Sequence, residues 1–220
     1  MTRRLLRILP VAVLLPSLAA FFGGWATITL DNLPDRVTVR QPLGLTFMVR
    51  QHGRTPLRGL NASVTARSAG RELRAVATPL PAAGRYTATL MLPEPGDWTI
   101  TIHSGFGNSN LTLPPLVVVE AATATAPSPA EAERGRRLFV AKGCVTCHLH
   151  RAVEGSGQVA AGPELTDRGL AAEYLRRFLA DPSIKPPQPG TTLGMPNLEL
   201  KPAEIAALTA FLTMTRQASR

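Results

Sequence analysis

Hydrophobic and polar residues alternate along several short stretches in the first half of the chain. The alternation is clear over residues 43–49, 86–92 and 98–102, and weaker strand signals cover residues 25–30, 62–67, 72–77 and 111–119. Glycine, proline, asparagine and aspartate residues separate them. Successive side chains of a strand point to opposite faces of a sheet, so the pattern predicts about seven short β-strands with one buried face each.

This run of short strands contains no helical periodicity, which predicts an immunoglobulin-like β-sandwich over residues 21–120. The next ten residues, 121–130, consist almost entirely of alanine, threonine and proline. That composition predicts a flexible linker. A second domain should therefore occupy residues 131–220, and the chain as a whole should be multidomain.

The hydrophobic period changes to that of α-helices after the linker. Ser128-Pro129-Ala130-Glu131 has the pattern of a capping box, which predicts a helix that starts there and runs towards Lys142. Apolar residues at helical spacing over 170–179 predict a middle helix that ends at Asp181-Pro182. A third apolar stripe over 205–212 predicts a C-terminal helix, although Lys201 at its N-cap is a poor capping residue. The second domain should be all-α.

The chain begins with an N-terminal segment typical of exported proteins. Arg3, Arg4 and Arg7 precede an apolar run over residues 8–22. This arrangement predicts that residues 1–20 are a signal peptide or, if they are not cleaved, an N-terminal membrane anchor. The mature protein is expected in the periplasm or another extracytoplasmic space, with membrane association possible through this segment.

Cys144-Val145-Thr146-Cys147-His148 carries the chemistry of the second domain. Two thiols separated by two residues and followed by histidine form the attachment motif of c-type haem, in which the histidine ligates the iron. A zinc site would need further ligands, and these are the only two cysteines. A disulfide would leave His148 without a role, and a thioredoxin-like pair would need a βαβ context. We expect one covalent haem c held by Cys144 and Cys147.

The best candidate for the second axial ligand is Met195. It lies in a segment flanked by glycine and proline, where irregular backbone can present a thioether to the iron. His/Met ligation raises the potential of the iron and suits electron transfer. The alternative is an open sixth position, which would make the protein a haem enzyme or gas sensor.

Residues 130–220 resemble a class I mono-haem cytochrome c domain. The resemblance rests on Gly135-Arg136-Arg137-Leu138-Phe139, the haem motif, Gly162-Pro163-Glu164-Leu165 and Met195-Pro196-Asn197-Leu198, in the family's order and spacing. It implies that the Pro163 carbonyl accepts a hydrogen bond from Nδ1 of His148, and that Gly135 lets Phe211 approach where the terminal helices cross. It also implies an electron carrier and not an enzyme, with a membrane-bound oxidase or dehydrogenase as redox partner.

The first domain is similar, through Gly84-Arg85-Tyr86 and Gly96-Asp97-Trp98, to YtkA-like and CopC-like periplasmic modules. Some relatives of those modules handle copper. His52, His103, Met48 and Met91 are the candidate ligands here, so a copper-handling module with an accessory cytochrome is a further alternative. A role as spacer or docking surface is the simpler interpretation.

The net charge of +9 is diffuse, because residues 1–20, 21–120 and 121–220 contribute +3 each. No basic patch with interleaved aromatics is present in the sequence, so nucleic-acid binding is not expected. Lys142, Arg136, Arg137 and Arg151 flank the haem motif and could steer an acidic redox partner or simply be solvated. His150 is expected to be a solvated neighbour of the haem.

Overall fold

The structure is a computed structural model that describes residues 24–120, 129–159, 161–185 and 194–214. Eleven strands precede four α-helices within these residues. The strands are β1 Ala26–Leu30, β2 Val37–Thr38, β3 Pro42–Gln51, β4 Thr55–Pro56, β5 Ser63–Ser68, β6 Arg71–Val76, β7 Thr78–Pro79, β8 Arg85–Met91, β9 Gly96–His103, β10 Asn110–Thr112 and β11 Leu116–Val119. The helices are α1 Glu131–Ala141, α2 Cys144–Cys147, α3 Ala172–Ala180 and α4 Pro202–Leu212, with a 3-10 helix at Pro182–Ile184.

The strands form two sheets that pack face to face. One sheet has the order β1-β3-β8-β7 with β4 paired to β3, and the other has the order β2-β11-β9-β5-β6 with β10 paired to β9. Phe47, Tyr86 and Trp98 fill the space between the sheets and are essentially inaccessible to solvent. Burial alternates along β8 and β9, as expected for strands with one face on a core. The predicted sandwich and the all-α region after it are confirmed.

The helices follow the predicted stripes with one correction. Helix α1 begins at Glu131 with Ala130 as its N-cap and no side-chain cap, not at the predicted capping box. Ser128 lies outside the described residues. The buried residues of α1 start only at Gly135, so packing holds the C-terminal part of the helix and leaves its start weakly determined. Helix α3 ends before Asp181-Pro182 as predicted.

Lys201 is the N-cap of α4, and the neighbouring sequence compensates for its poor capping ability. The Glu204 carboxylate accepts a hydrogen bond of 2.9 Å from the Lys201 backbone N–H. This is the reciprocal arm of a capping box. Pro202 occupies the first turn, where a missing N–H costs nothing.

The sandwich and the helical region share one continuous apolar core. One close approach is at Gly143, where an added Cβ would lie 2.4 Å from the Ile28 carbonyl oxygen. Gly143 also has a φ of 77°, which favours glycine. Most of the predicted linker, residues 121–128, lies outside the described residues, but the two regions that it joins are in direct contact.

The predicted signal peptide or anchor lies outside the described residues. Within residues 24–214, apart from the gaps given above, no helix combines the length and the apolar character that a membrane span requires.

Candidate haem site

The two cysteines of the haem motif lie on a single helical turn. Helix α2 begins directly after Gly143, whose left-handed backbone turns the chain out of α1. Cys144 is buried and Cys147 half-buried, and neither forms a disulfide. Burial raises the pKa of the Cys144 thiol to about 12 and that of the Cys147 thiol to about 11. As free thiols, both sulfurs would therefore stay protonated in this apolar setting.

His148 follows this turn with its ring held in one orientation. Its Nδ1 lies 2.8 Å from the carbonyl oxygen of Pro163. A carbonyl can only accept, so Nδ1 carries the hydrogen and donates it, which leaves the lone pair of Nε2 free for a metal. Desolvation lowers the pKa of His148, against an opposing effect of the Pro163 hydrogen bond, and so favours the neutral ring that ligates iron.

Gly162 lies directly against the imidazole ring of His148. A Cβ built at this position would lie 2.3 Å from Cε1 and 2.5 Å from Nδ1 of His148. Any side chain at residue 162 would thus displace the ring from the Pro163 carbonyl. The site thus offers two thiols and one imidazole, and the imidazole keeps its orientation because residue 162 is a glycine. This set of groups fits a covalently attached haem.

The segment 194–201 has no regular secondary structure, and the half-buried Met195 packs from it onto the apolar core. Met195 also borders a cavity of about 590 Å³ between this segment, the start of the 3-10 helix and the β3–β4 turn. Its thioether is thus presented from irregular backbone, as the sequence suggested. The position of Met195 relative to an iron atom stays a prediction.

His150 is not a solvated neighbour of the site, contrary to the sequence prediction. It is buried, and its ring centroid lies 4.5 Å from that of Phe211 and 5.8 Å from that of Phe139. Its Nδ1 accepts a hydrogen bond from the Ala152 backbone N–H. His150 therefore belongs to the packing where α1 and α4 cross. The sequence did not indicate that His150 is buried, because histidine is a polar residue and this one lies just beyond the haem motif.

Gly135 and Phe211 meet at the same crossing, as the family resemblance implied. A Cβ at Gly135 would lie 1.9 Å from the Ala207 carbonyl oxygen and 2.8 Å from Cβ of Phe211. Phe139 and Phe211 pack edge to face with centroids 5.8 Å apart. The crossing closes the core next to the attachment turn.

Two of the four cations proposed to steer a partner are buried. The Lys142 ammonium lies 2.7 Å from a Glu204 carboxylate oxygen, and both side chains are nearly inaccessible to solvent. Arg137 is also buried and donates to the Asp35 carbonyl oxygen. Arg136 is paired with Glu133 on its own helix. Arg151 alone among the four is exposed and without an ion pair among those recorded for the described residues.

The two histidines among the candidate copper ligands of the sandwich are engaged in other contacts, whereas Met48 is buried and Met91 is exposed. His103 has both ring nitrogens at 3.0 Å from protein oxygens, on Thr65 and Asn110. His52 packs against the ring of Trp25. Among the described residues, no group of three or more histidine, cysteine, aspartate or glutamate side chains is placed to hold a metal ion.

Comparison with known families assigns the C-terminal region. Residues 132–215 match the sequence model of the family described as cytochrome c. This region is a cytochrome c domain. The domain carries covalently bound haem c, and the protein is in general terms an electron-transfer protein. The cysteines and His148 of the motif all lie within the matched residues.

Structural comparison of the whole chain returns matches of low similarity, each of which covers less than half of this chain. The Lin-41 filamin domain is 12% identical with a TM-score of 0.35, and the alignment covers 44% of this chain and 93% of that one. Domains 4 and 5 of the S-layer protein SbsC are 23% identical with a TM-score of 0.32, covering 42% and 51%. Superoxide reductase (neelaredoxin) from Ignicoccus hospitalis is 18% identical with a TM-score of 0.30, covering 42% and 80%. Comparison with curated proteins gave no match.

Proposed function

We propose that the protein is an extracytoplasmic carrier of single electrons with one haem c, ligated by His148 Nε2 and Met195 Sδ. The observation that carries the proposal is the held imidazole of His148, next to two unpaired thiols on one helical turn. A bound haem supplies a ferric–ferrous couple that gains or loses one electron without a proton. The carrier role is preferred to an enzyme because residues 132–215 match the cytochrome c family.

The residues of the chain would each have a separate task at this site. Cys144 and Cys147 fix the ring covalently, and Pro163 and Gly162 hold His148 in a single rotamer and tautomer. A ligand held in this way changes little between oxidation states, which lowers the reorganisation that accompanies electron transfer. The apolar residues of α1 and α4 would help to exclude water from the haem, which together with a thioether ligand would favour the ferrous state.

Export and partner are part of the same proposal. The charged start and apolar run of residues 1–22 support delivery to the periplasm, with cleavage or retention of this segment as a signal peptide or an anchor. A membrane-bound oxidase or dehydrogenase is the proposed redox partner. The sandwich would hold the cytochrome domain at a fixed position relative to that partner, because the two regions pack directly on each other.

The test is the absorption spectrum of the oxidised, haem-loaded protein. A weak sulfur-to-iron charge-transfer band at the red end of the spectrum is expected, and Met195→Ala should abolish it. Met91→Ala, at an exposed methionine of β8, is the matched control and should leave the band unchanged. A wild-type protein that lacks the band and binds carbon monoxide avidly would contradict the ligand set and support the open-site alternative.

A further inference from the structure

The segment that carries Met195 is attached to the sandwich through Glu199. One carboxylate oxygen of Glu199 lies 2.8 Å from a guanidinium nitrogen of Arg85, and the other lies 3.5 Å from Arg50. Glu199 is four residues after Met195 and has a φ of 56°, in the left-handed region that non-glycine residues seldom adopt. Its backbone N–H donates to the Asn197 side chain at 2.8 Å, which fixes the turn between them. The carboxylate is thus held at a backbone position that local preference alone would not select.

The two arginines form a prepared anchor on the sandwich. Arg50 lies on β3 and Arg85 on β8, which are neighbouring strands, and Arg85 pairs in register with Met48, two residues before Arg50. Residues two apart on a strand share a face, so both guanidinium groups reach the same place. Arg85 is also paired with Asp31. The Arg50 side chain is only 10% exposed, so Glu199 is a counterion for a largely buried charge.

The same segment also lies against the sandwich on both sides of Glu199. Towards its start, Pro196, the residue after Met195, lies near Gly53, where an added Cβ would be 3.5 Å from Cγ of the proline. Towards its end, the Lys201 ammonium donates to the Asn32 side chain. Gly53 and Asn32 both belong to the sandwich. Residues 196–201 therefore lie along the sandwich, and the attachment is not a single surface ion pair.

We propose that Arg50 and Arg85, acting through Glu199, are positioning residues that hold Met195 at the distal face of the haem. The inference rests on the proposed function, since it assumes that Met195 is the axial ligand. It gives the sandwich a role within the redox site of the same chain. Without the anchor, the segment would exchange more often to arrangements in which the thioether has left the iron.

The experiment uses the full-length haem-loaded protein with Glu199→Gln, which keeps the shape and removes the charge. Exogenous imidazole binds ferric haem only where the thioether has left, so its apparent affinity measures the population of that state. The affinity should rise about fivefold, the scale of one partly exposed ion pair near 1 kcal/mol. The charge-transfer band should weaken, and backbone amides of residues 197–201 should exchange faster with deuterium.

The matched control is Glu94→Gln. Glu94 pairs with Arg71 at 2.8 Å, with both side chains about half exposed, and both residues belong to the sandwich. The same charge is lost, so a general effect of charge or of sandwich stability would appear in both variants. Imidazole is neutral, so its affinity is also insensitive to the change in net charge. Raised salt should strengthen imidazole binding to the wild type and leave Glu199→Gln unchanged.

The outcomes separate the two proposals. If Met195→Ala removes the charge-transfer band and Glu199→Gln behaves like Glu94→Gln, the positioning role is overturned while the ligand set stands. If Met195→Ala keeps the band, the ligand set fails and the positioning role fails with it. Arg85→Gln is the second variant, and it should raise the imidazole affinity by a smaller factor than Glu199→Gln, because Glu199 keeps its pairing with Arg50. The double variant should show less than the sum of the two effects, because the Arg85–Glu199 pair is lost in both single variants.

Discussion

Among the ion pairs recorded for the described residues, the one between Lys142 and Glu204 should cost the most stability when it is lost. The charged atoms lie 2.7 Å apart, and the side chains are only 3% and 6% exposed. Lys142 is the residue after α1, and Glu204 lies in the first turn of α4. The ammonium also donates to the Asp31 carbonyl oxygen of the sandwich at 2.8 Å. One cation therefore joins both terminal helices to the sandwich.

Glu204→Gln would leave that ammonium buried without a counterion. One carboxylate oxygen of Glu204 faces the Lys142 ammonium and the other accepts from the Lys201 N–H. Glutamine has a single carbonyl oxygen, so it can keep the helix cap only by turning its NH2 group towards the ammonium, and the variant loses a hydrogen bond as well as the charge. Removing one partner of a buried pair typically costs about 3–5 kcal/mol, because the remaining charge keeps its desolvation penalty. The Asp31 carbonyl still accepts a hydrogen bond from the ammonium, so we expect at least about 3 kcal/mol, the lower end of that range.

Urea unfolding of the haem-loaded protein, followed by haem absorbance and far-ultraviolet circular dichroism, gives the free energy of unfolding. Glu94→Gln, which breaks a half-exposed pair, should cost less than about 1 kcal/mol. Lys142→Met combined with Glu204→Gln should recover most of the loss, since no unpaired charge remains buried. A cost for Glu204→Gln as small as that of Glu94→Gln would refute the argument that this pair is buried and shared by three elements.

Two glycine substitutions test close contacts around the haem domain, with Gly44→Ala as a common control because a Cβ there meets no atom within 4 Å. Gly135→Ala would push Cβ to 1.9 Å from the Ala207 carbonyl oxygen, so the terminal helices must separate, and thermal or urea unfolding should show a loss of about 2–3 kcal/mol. A stability equal to that of Gly44→Ala would show that the helices do not cross there. Gly162→Ala would displace the His148 ring from the Pro163 carbonyl. The affinity of His148 for the iron should fall by about tenfold, and the ferric absorption spectrum should show a loss of low-spin haem. An unchanged spectrum would mean that the orientation of His148 does not depend on a glycine at residue 162.

The sequence was sufficient to predict most of the strands and helices, but it was insufficient to predict the contacts between them. Alternation located β3, β8 and β9 because each has one face on a core, and helical stripes located α3 and α4 for the same reason. Helix α1 was placed less well at its start, since its first turn makes few buried contacts and tertiary packing begins only at Gly135.

The side chains that join the two regions could not be found in this way. Lys142 and Glu204 are 62 positions apart, as the numbering shows, and either would ordinarily be interpreted as a solvated surface residue. The same holds for Arg50, Arg85 and Glu199, whose pairing depends on how the sandwich and the segment after Met195 meet. Local pattern reports which face of an element is apolar, but not which polar groups become partners when elements dock.

In the haem site, too, some residues could be identified from the sequence and others only from the structure. Cys144, Cys147 and His148 are contiguous, so the motif alone identifies them. Pro163 was implied only by family resemblance, and its carbonyl lies 2.8 Å from Nδ1 of His148 in the structure. Gly162 carried one signal, a glycine directly before that proline, but its necessity depends on a distance that no sequence pattern contains. The role of Met195 is the part of the site that the spectroscopic experiment must decide.

The central claim is tested most directly by the mass of the intact protein produced in a host that attaches c-type haem. The account predicts the mass of the polypeptide plus one haem, with the added mass retained after denaturation in acid and located on a peptide containing Cys144 and Cys147. A protein with the mass of the polypeptide alone, or a haem released by acidic solvent, would contradict it.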